Sequence, residues 1–345
     1  MAHQIVRKNT VREFEFFPPL AWPYWLERTY EESGRRGLPL IVALHGGGQD
    51  PAGFAENWPF PELFSGPDED NWEDRCIVLR PFGFAYFPLL GRPLRGWNPG
   101  FGGGFLRAQN DVAFVESMIA EAERMLNREM RQLGIPGPAI DPNRRFLFGY
   151  SAGGMMAYRL VNKMPDNWAA LWVQSSAHGG RSYDGLTARV TNRPRGRHGV
   201  SLFAHHGELD TVVPPGPQGD PVGLAVSEVS ADLNEIAGLT TAEARQYATS
   251  YRHLAAAVRD YRTHNNCDPE PFEYLSPPTT GTVGIAGPDM ASRATWRQDG
   301  DTPNPEVVVH RDPDMDHTNF HDDDNAYFTA EDVWTFFKDH PRVRL

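Results

Sequence analysis

Between Arg145 and Leu160 a run of strand character, RFLFGY, meets a run of helical character, AGGMMAYRL, with one serine at the junction. No other feature restricts the fold as much. The junction reads Gly149-Tyr150-Ser151-Ala152-Gly153, a G-x-S-x-G. A serine on so tight a strand-to-helix turn is lifted above the sheet, and the crowding is relieved only by small neighbours. The helix that follows points its positive end at the serine, which favours developing negative charge. A bare G-x-S-x-G says little, because glycine and serine are common. The strand before it, the helix after it and the extra Gly154 give it its meaning.

The rest of the chain agrees with that junction. Strand-like and helix-like runs alternate, the pattern of a mostly parallel central sheet with helices on both faces. Leu38 to Leu44 (LPLIVAL) is a near-continuous apolar run that ends in glycines, as expected of a buried central strand. Cys76 to Arg80, Arg145 to Tyr150, Ala169 to Gln174, Val200 to His205 and Glu306 to His310 read as further strands. Helices are expected over Val112 to Leu133, Ser151 to Met164, Ala242 to His264 and Ala330 to Asp339. Asp111 is the expected N-cap of the first, and Gly134 with Pro136 its stop. No repeat and no linker divides the sequence, so one α/β domain over residues 1–345 is the expectation. Loop insertions near 82–105, 181–199 and 214–236 would form the ligand crevice at the carboxyl ends of the strands.

His45-Gly46-Gly47-Gly48 follows the first buried strand directly. Acyl transfer needs at least two backbone N–H donors aimed at the oxyanion, and bare glycine backbone can approach a substrate closely. Ala152 is the expected first donor. Gly47 is the expected second, with Gly48 behind it. Ser151 also needs a base, and the base an orienting carboxylate, in the chain order Ser, acid, His. Asp210, in His206-Gly207-Glu208-Leu209-Asp210, is the favoured acid, with Glu208 as runner-up. Of the late histidines, His317 lies between the last strand and the closing helix and is the favoured base; His321 competes with it. Trp97, Phe101 and Tyr150 are expected to line the pocket for the acid part of a substrate.

Taken together these segments resemble the polyhydroxybutyrate depolymerase and feruloyl-esterase-like branch of the α/β-hydrolases, over roughly Pro39 to Pro341. The resemblance rests on LHGGGQ (Leu44 to Gln49), NDVAFV (Asn110 to Val115) and IDPNRRFLFGYSAGGMMAYRL (Ile140 to Leu160). HHGELDTVVP (His205 to Pro214), HNNC (His264 to Cys267) and DHTNF (Asp316 to Phe320) continue it. It implies an α/β-hydrolase fold, a serine carboxylic-ester hydrolase working through an acyl-enzyme, and a triad of Ser151, Asp210 and His317. The acid part implied is aromatic, feruloyl-like, or a short hydroxyacyl group as in polyesters. Around the base the sequence departs from the family pattern: Asp316-His317-Thr318 stands where glycines usually precede the histidine and Trp-Pro follows it. Polymer specificity therefore does not follow. A serine peptidase or acyltransferase on the same fold would share every residue named, and a binding protein that kept the fold would need a broken triad.

Composition excludes some classes. A formal charge of -12 offers no basic face for nucleic acid or an anionic membrane. The polar N-terminus lacks an apolar signal-peptide core, and no run reaches the ~20 residues of a membrane span, so a cytoplasmic protein is the default expectation. Cys76 is expected as a buried thiol, with a Cys76–Cys267 disulfide left open. No cofactor and no metal is expected. The acidic stretch Asp312, Asp314, Asp316 and Asp322 to Asp324 lacks the spacing of a calcium loop and reads as solvated. His205 and His206 have no companion ligands at metal spacing along the chain.

Overall fold

The structure is a computed structural model. It describes residues 2–7, 10–34, 37–49, 51–64, 75–89, 92–101, 108–181, 189–207, 209–210, 212–213, 215, 254–269, 273–275, 292–297, 305–312, 315–317 and 328–344.

Ten strands build the main sheet. They are β1 (Ala2–Arg7), β2 (Thr10–Phe17), β3 (Leu38–Leu44), β4 (Ile77–Pro81) and β5 (Ile140–Tyr150). After them come β6 (Ala170–Gln174), β7 (Ser201–Gly207), β8 (Glu273–Leu275), β9 (Ser292–Trp296) and β10 (Val307–Asp312). Across the sheet the order is β1-β2-β4-β3-β5-β6-β7-β10-β9-β8. The six central strands, β4 to β10 in that order, are parallel. The two strands at either edge are antiparallel.

Side chains alternate between the faces of each strand, and two cores result. On one face Leu40, Val42, Leu44 and Leu147 meet the helices Trp22–Ser33, Asp111–Leu133, Ala152–Lys163 and Leu254–His264. On the other, Ile41, Ala43, Phe146 and Phe148 meet the helices Pro51–Asn57, Phe60–Leu63 and Ala330–Asp339. The second core is the aromatic one: Phe146 stacks on Phe337 with ring centroids 4.8 Å apart. A mostly parallel sheet, helices on both faces and a strand–serine–helix turn at its centre make this an α/β-hydrolase fold.

One expectation from sequence needs correction. The helix Asp111–Leu133 is capped by Asn110, whose side chain accepts from the Ala113 N–H. Asp111 instead is buried, 2.6 Å from the Arg12 guanidinium of β2, and accepts from the Asn98 N–H. A buried arginine needs a carboxylate more than a helix end does. At the N-terminal edge β1 continues the sheet although its sequence is polar. Cys76 is buried, and both cysteines are free thiols. Of the three insertion segments, 82–105 contributes a ribbon of Phe84–Leu89 against Arg92–Gly96. Segment 181–199 pairs Arg189–Thr191 with Gly179–Arg181. Residues 216–236 lie outside the described residues. Among the described residues no helix is long and apolar enough to cross a membrane.

Candidate active site

Ser151 is the one residue between β5 and the helix Ala152–Lys163, and its backbone sits at φ 51°, ψ −121°. That conformation is unfavourable for any residue with a Cβ. It persists because its neighbours fix it: the Ser151 N–H donates to Gln174 O at 2.9 Å, and Ser176 Oγ donates to Ser151 O at 3.0 Å. The flanking glycines are sterically required. A Cβ on Gly149 would lie 2.6 Å from the Gly154 nitrogen, and one on Gly153 would run into the Leu44 carbonyl oxygen. The helix can start this close to the sheet only without those two side chains.

His317 and Asp210 arrive from neighbouring strands, on the segments that follow β10 and β7. These segments are tied together, since Leu209 N–H donates to Met315 O at 3.1 Å. Any Cβ on Gly207 would collide with that same carbonyl, so Gly207 permits the approach. His317 Nδ1 lies 3.0 and 2.9 Å from the two Asp210 oxygens, and Nε2 lies 2.9 Å from Ser151 Oγ. A carboxylate only accepts, so Nδ1 carries the proton and Nε2 turns a lone pair to the serine hydroxyl. Asp210 is fully buried, and Ser151 and His317 are 9 % and 8 % exposed.

Burial alone would raise the Asp210 pKa. The attraction of His317, with hydrogen bonds from His206 and His317, outweighs it and holds the carboxyl well below the ordinary range. Val212 and Val213 N–H groups also donate to Asp210 Oδ1. His206 is the partner that sequence reasoning missed. Its Nε2 lies 2.6 Å from Val213 O, so this nitrogen bears hydrogen, and the same atom faces Asp210 Oδ2 at 3.2 Å. Its position four residues before Asp210 was a usable signal. Glu208 and His321, the alternative acid and base, lie outside the described residues.

In the glycine loop, Gly46 N–H donates to Gln49 Oε1 and Gly48 N–H to Arg95 O. The Gly47 and Ala152 N–H groups have no hydrogen-bond partner among the described residues. These two residues face each other: a Cβ on Gly47 would rest 3.6 Å from the Ala152 Cβ.

The three aromatics expected around a substrate are all buried. Trp97 donates its indole N–H to His45 O at 2.8 Å and so braces the glycine loop from behind. His45 in turn accepts from Gly83 N–H at its Nε2. Tyr150 donates its hydroxyl to His317 O at 2.6 Å. Burial, then the charges of Asp210 and Asp316, push that phenol far up, so it stays a donor. Phe101 packs with Met155, Ala177 and Val213 in a small apolar cluster beside the serine turn. His310, another late histidine, lies within β10 rather than at its end; burial and then Arg293 push it down to about 4.

No protein-family model matches the chain, and no curated protein sequence does. Among solved structures the chain is similar to an acetyl xylan esterase from Aspergillus awamori, at 12% identity and TM-score 0.46. That alignment covers 98% of this chain and 99% of the other. It is also similar to a thermostable esterase, at 16% identity and TM-score 0.35, covering 68% of this chain and 52% of the other. A ferulic acid esterase aligns at 18% identity and TM-score 0.32, covering 51% of this chain and 58% of the other. The strand order, not these distant likenesses, defines the fold.

Proposed function

We propose that the chain is a serine carboxylic-ester hydrolase that works through an acyl-enzyme, on one catalytic domain and without a cofactor. The observation that carries this reading is the hydrogen-bonded line Asp210–His317–Ser151, ending on a strained serine. Ser151 Oγ attacks the ester carbonyl carbon as His317 Nε2 takes the hydroxyl proton, and Asp210 steadies the imidazolium that forms. The oxyanion is received by the N–H groups of Gly47 and Ala152; Gly48, already committed to Arg95, is not needed. His317 then protonates the leaving alcohol. Water repeats the sequence on the acyl-enzyme and releases the acid.

The substrate we favour is an ester with an aromatic, feruloyl-like, or short hydroxyacyl acid part. Phe101 and its apolar cluster support an acyl wall next to the serine. Trp97 and Tyr150 act on substrate indirectly in this reading, through the glycine loop and through His317.

The test is Ser151→Ala, assayed on p-nitrophenyl and methyl feruloyl esters and with a fluorophosphonate probe. Loss of labelling together with a fall in turnover of several orders of magnitude is expected, the far-UV spectrum staying unchanged. Wild-type turnover in the variant would end the proposal. Peptide anilides run beside the esters would expose an amidase.

A further inference from the structure

We propose that His205, His310 and Asp312 form a site for one divalent transition-metal ion of the zinc class, tying β7 to β10 behind the candidate active site. The two strands are parallel neighbours, and His205 is the register partner of His310. Asp312 lies two residues beyond His310 and so on the same face of the strand. One donor atom from each of the three falls within 4.8 Å of the others. Two of the side chains are buried and the third is partly so. Phe328 closes the group on one side, its ring 4.8 Å from His205 and 4.9 Å from His310. The His310 Nδ1 atom is buried without a hydrogen-bond partner among the described residues. Spacing along the chain hides this group, because its donors come from two strands 105 residues apart in sequence for the register pair, 310 − 205.

The donor set narrows the ion to a first-row transition metal. Two imidazoles and one carboxylate suit Zn2+, Co2+ or Ni2+, and water would complete the coordination. Calcium and magnesium want more oxygens than one aspartate offers. Around zinc at about 2.1 Å, tetrahedral donors stand about 3.4 Å apart, so donors lying up to 4.8 Å apart must draw in by up to about 1.4 Å. Arg293 opposes binding, since it is the register partner of His310 on β9. The ion would be structural, because His205 and its neighbour His206 point to opposite faces of β7 and only His206 reaches Asp210.

Full-length protein stripped with a chelator would be titrated with Co2+, read by its visible ligand-field bands, and with Zn2+, read by calorimetry and melting midpoint. One equivalent of saturable binding is expected, with a midpoint several degrees higher in excess zinc. Asp312→Asn and His310→Gln should each weaken binding at least tenfold and flatten the thermal shift. His310 is only partly buried, so its variant keeps the test available if Asp312→Asn does not fold. Absence of saturable one-to-one binding, or identical titrations in wild type and both variants, would overturn the site.

Discussion

The end of β7 carries a histidine on each face, and the two environments differ sharply. His206 is held at 2.6 Å by Val213 O and faces Asp210, which in turn takes His317 at 2.9 Å. His205, one residue earlier, lies in an aromatic setting, edge-on to His310 and Phe328. Burial, followed by the nearby His310 and His206, holds His205 far below its ordinary pKa. The same residue type at adjacent positions thus serves a wired carboxylate on one face and an aromatic-walled cluster on the other. Local sequence does not distinguish them. The alternation of strand side chains does, because it sends one ring toward the acid loop and the other toward β10 and Phe328.

The comparison breaks most visibly at Asp210. Asp210→Asn should keep the fold and cut ester turnover by roughly 10⁴, because an amide can hold the imidazole in the wrong tautomer. Glu208→Gln should cost far less; the reverse ranking would move the acid by two positions. Asp210 also carries a pH signature. Its native pKa is depressed, so near its ordinary value of about 3.9 the unfolded chain binds more protons than the folded one. Its stabilising contribution is therefore complete above that value and drains away as pH falls below it. Chemical denaturation at pH 7 and pH 3 should show the wild-type advantage over Asp210→Asn shrinking at the lower pH.

The next effect in size belongs to His206, which separates the wired face from the other. His206→Phe fills the space but removes a hydrogen bond to a buried charge, worth about 1.5–3 kcal/mol. Turnover should drop about 10–100-fold with KM little changed, and His206→Gln should recover part of it. An unaffected kcat would mean that the Val212 and Val213 amides hold Asp210 sufficiently on their own.

The chain announced its fold through its interior. β3 is buried at every position and was legible as a continuous apolar run, and the closing helix Ala330–Asp339 fell within its expected bounds. The edges were not legible. β1 is polar and partly exposed, and β8 has three residues; such strands are specified by their partners and by register, which no local pattern encodes. The same divide runs through the candidate site. Ser151, Asp210 and His317 could be named because each stands on a turn or loop whose type and order are restricted. Gly207 and the Leu209–Met315 bond could not, because they depend on two loops far apart in sequence meeting in space, whereas His206 stands four residues before Asp210. Asp111 was misread as a helix cap for a related reason: its partner, Arg12, is distant in sequence.

The smallest effect should come from Tyr150, and it tests whether His317 is positioned through its backbone as well as its ring. The Tyr150 hydroxyl donates to His317 O at 2.6 Å, and its ring lies 5.4 Å from the imidazole. Tyr150→Phe keeps the ring and removes one neutral hydrogen bond, leaving a buried carbonyl without that donor. The cost is about 1 kcal/mol, near the middle of the range for such bonds. A purely structural role would lower the melting midpoint and leave kcat and KM alone. A positioning role loosens the base relative to Ser151 in the transition state, so kcat should fall about fivefold while KM holds. Tyr150→Leu, which also removes the ring contact, should then fall further. If Tyr150→Phe matches wild type in kcat, the Asp210 carboxylate alone fixes His317, and the tyrosine serves only to pack the turn beneath Ser151.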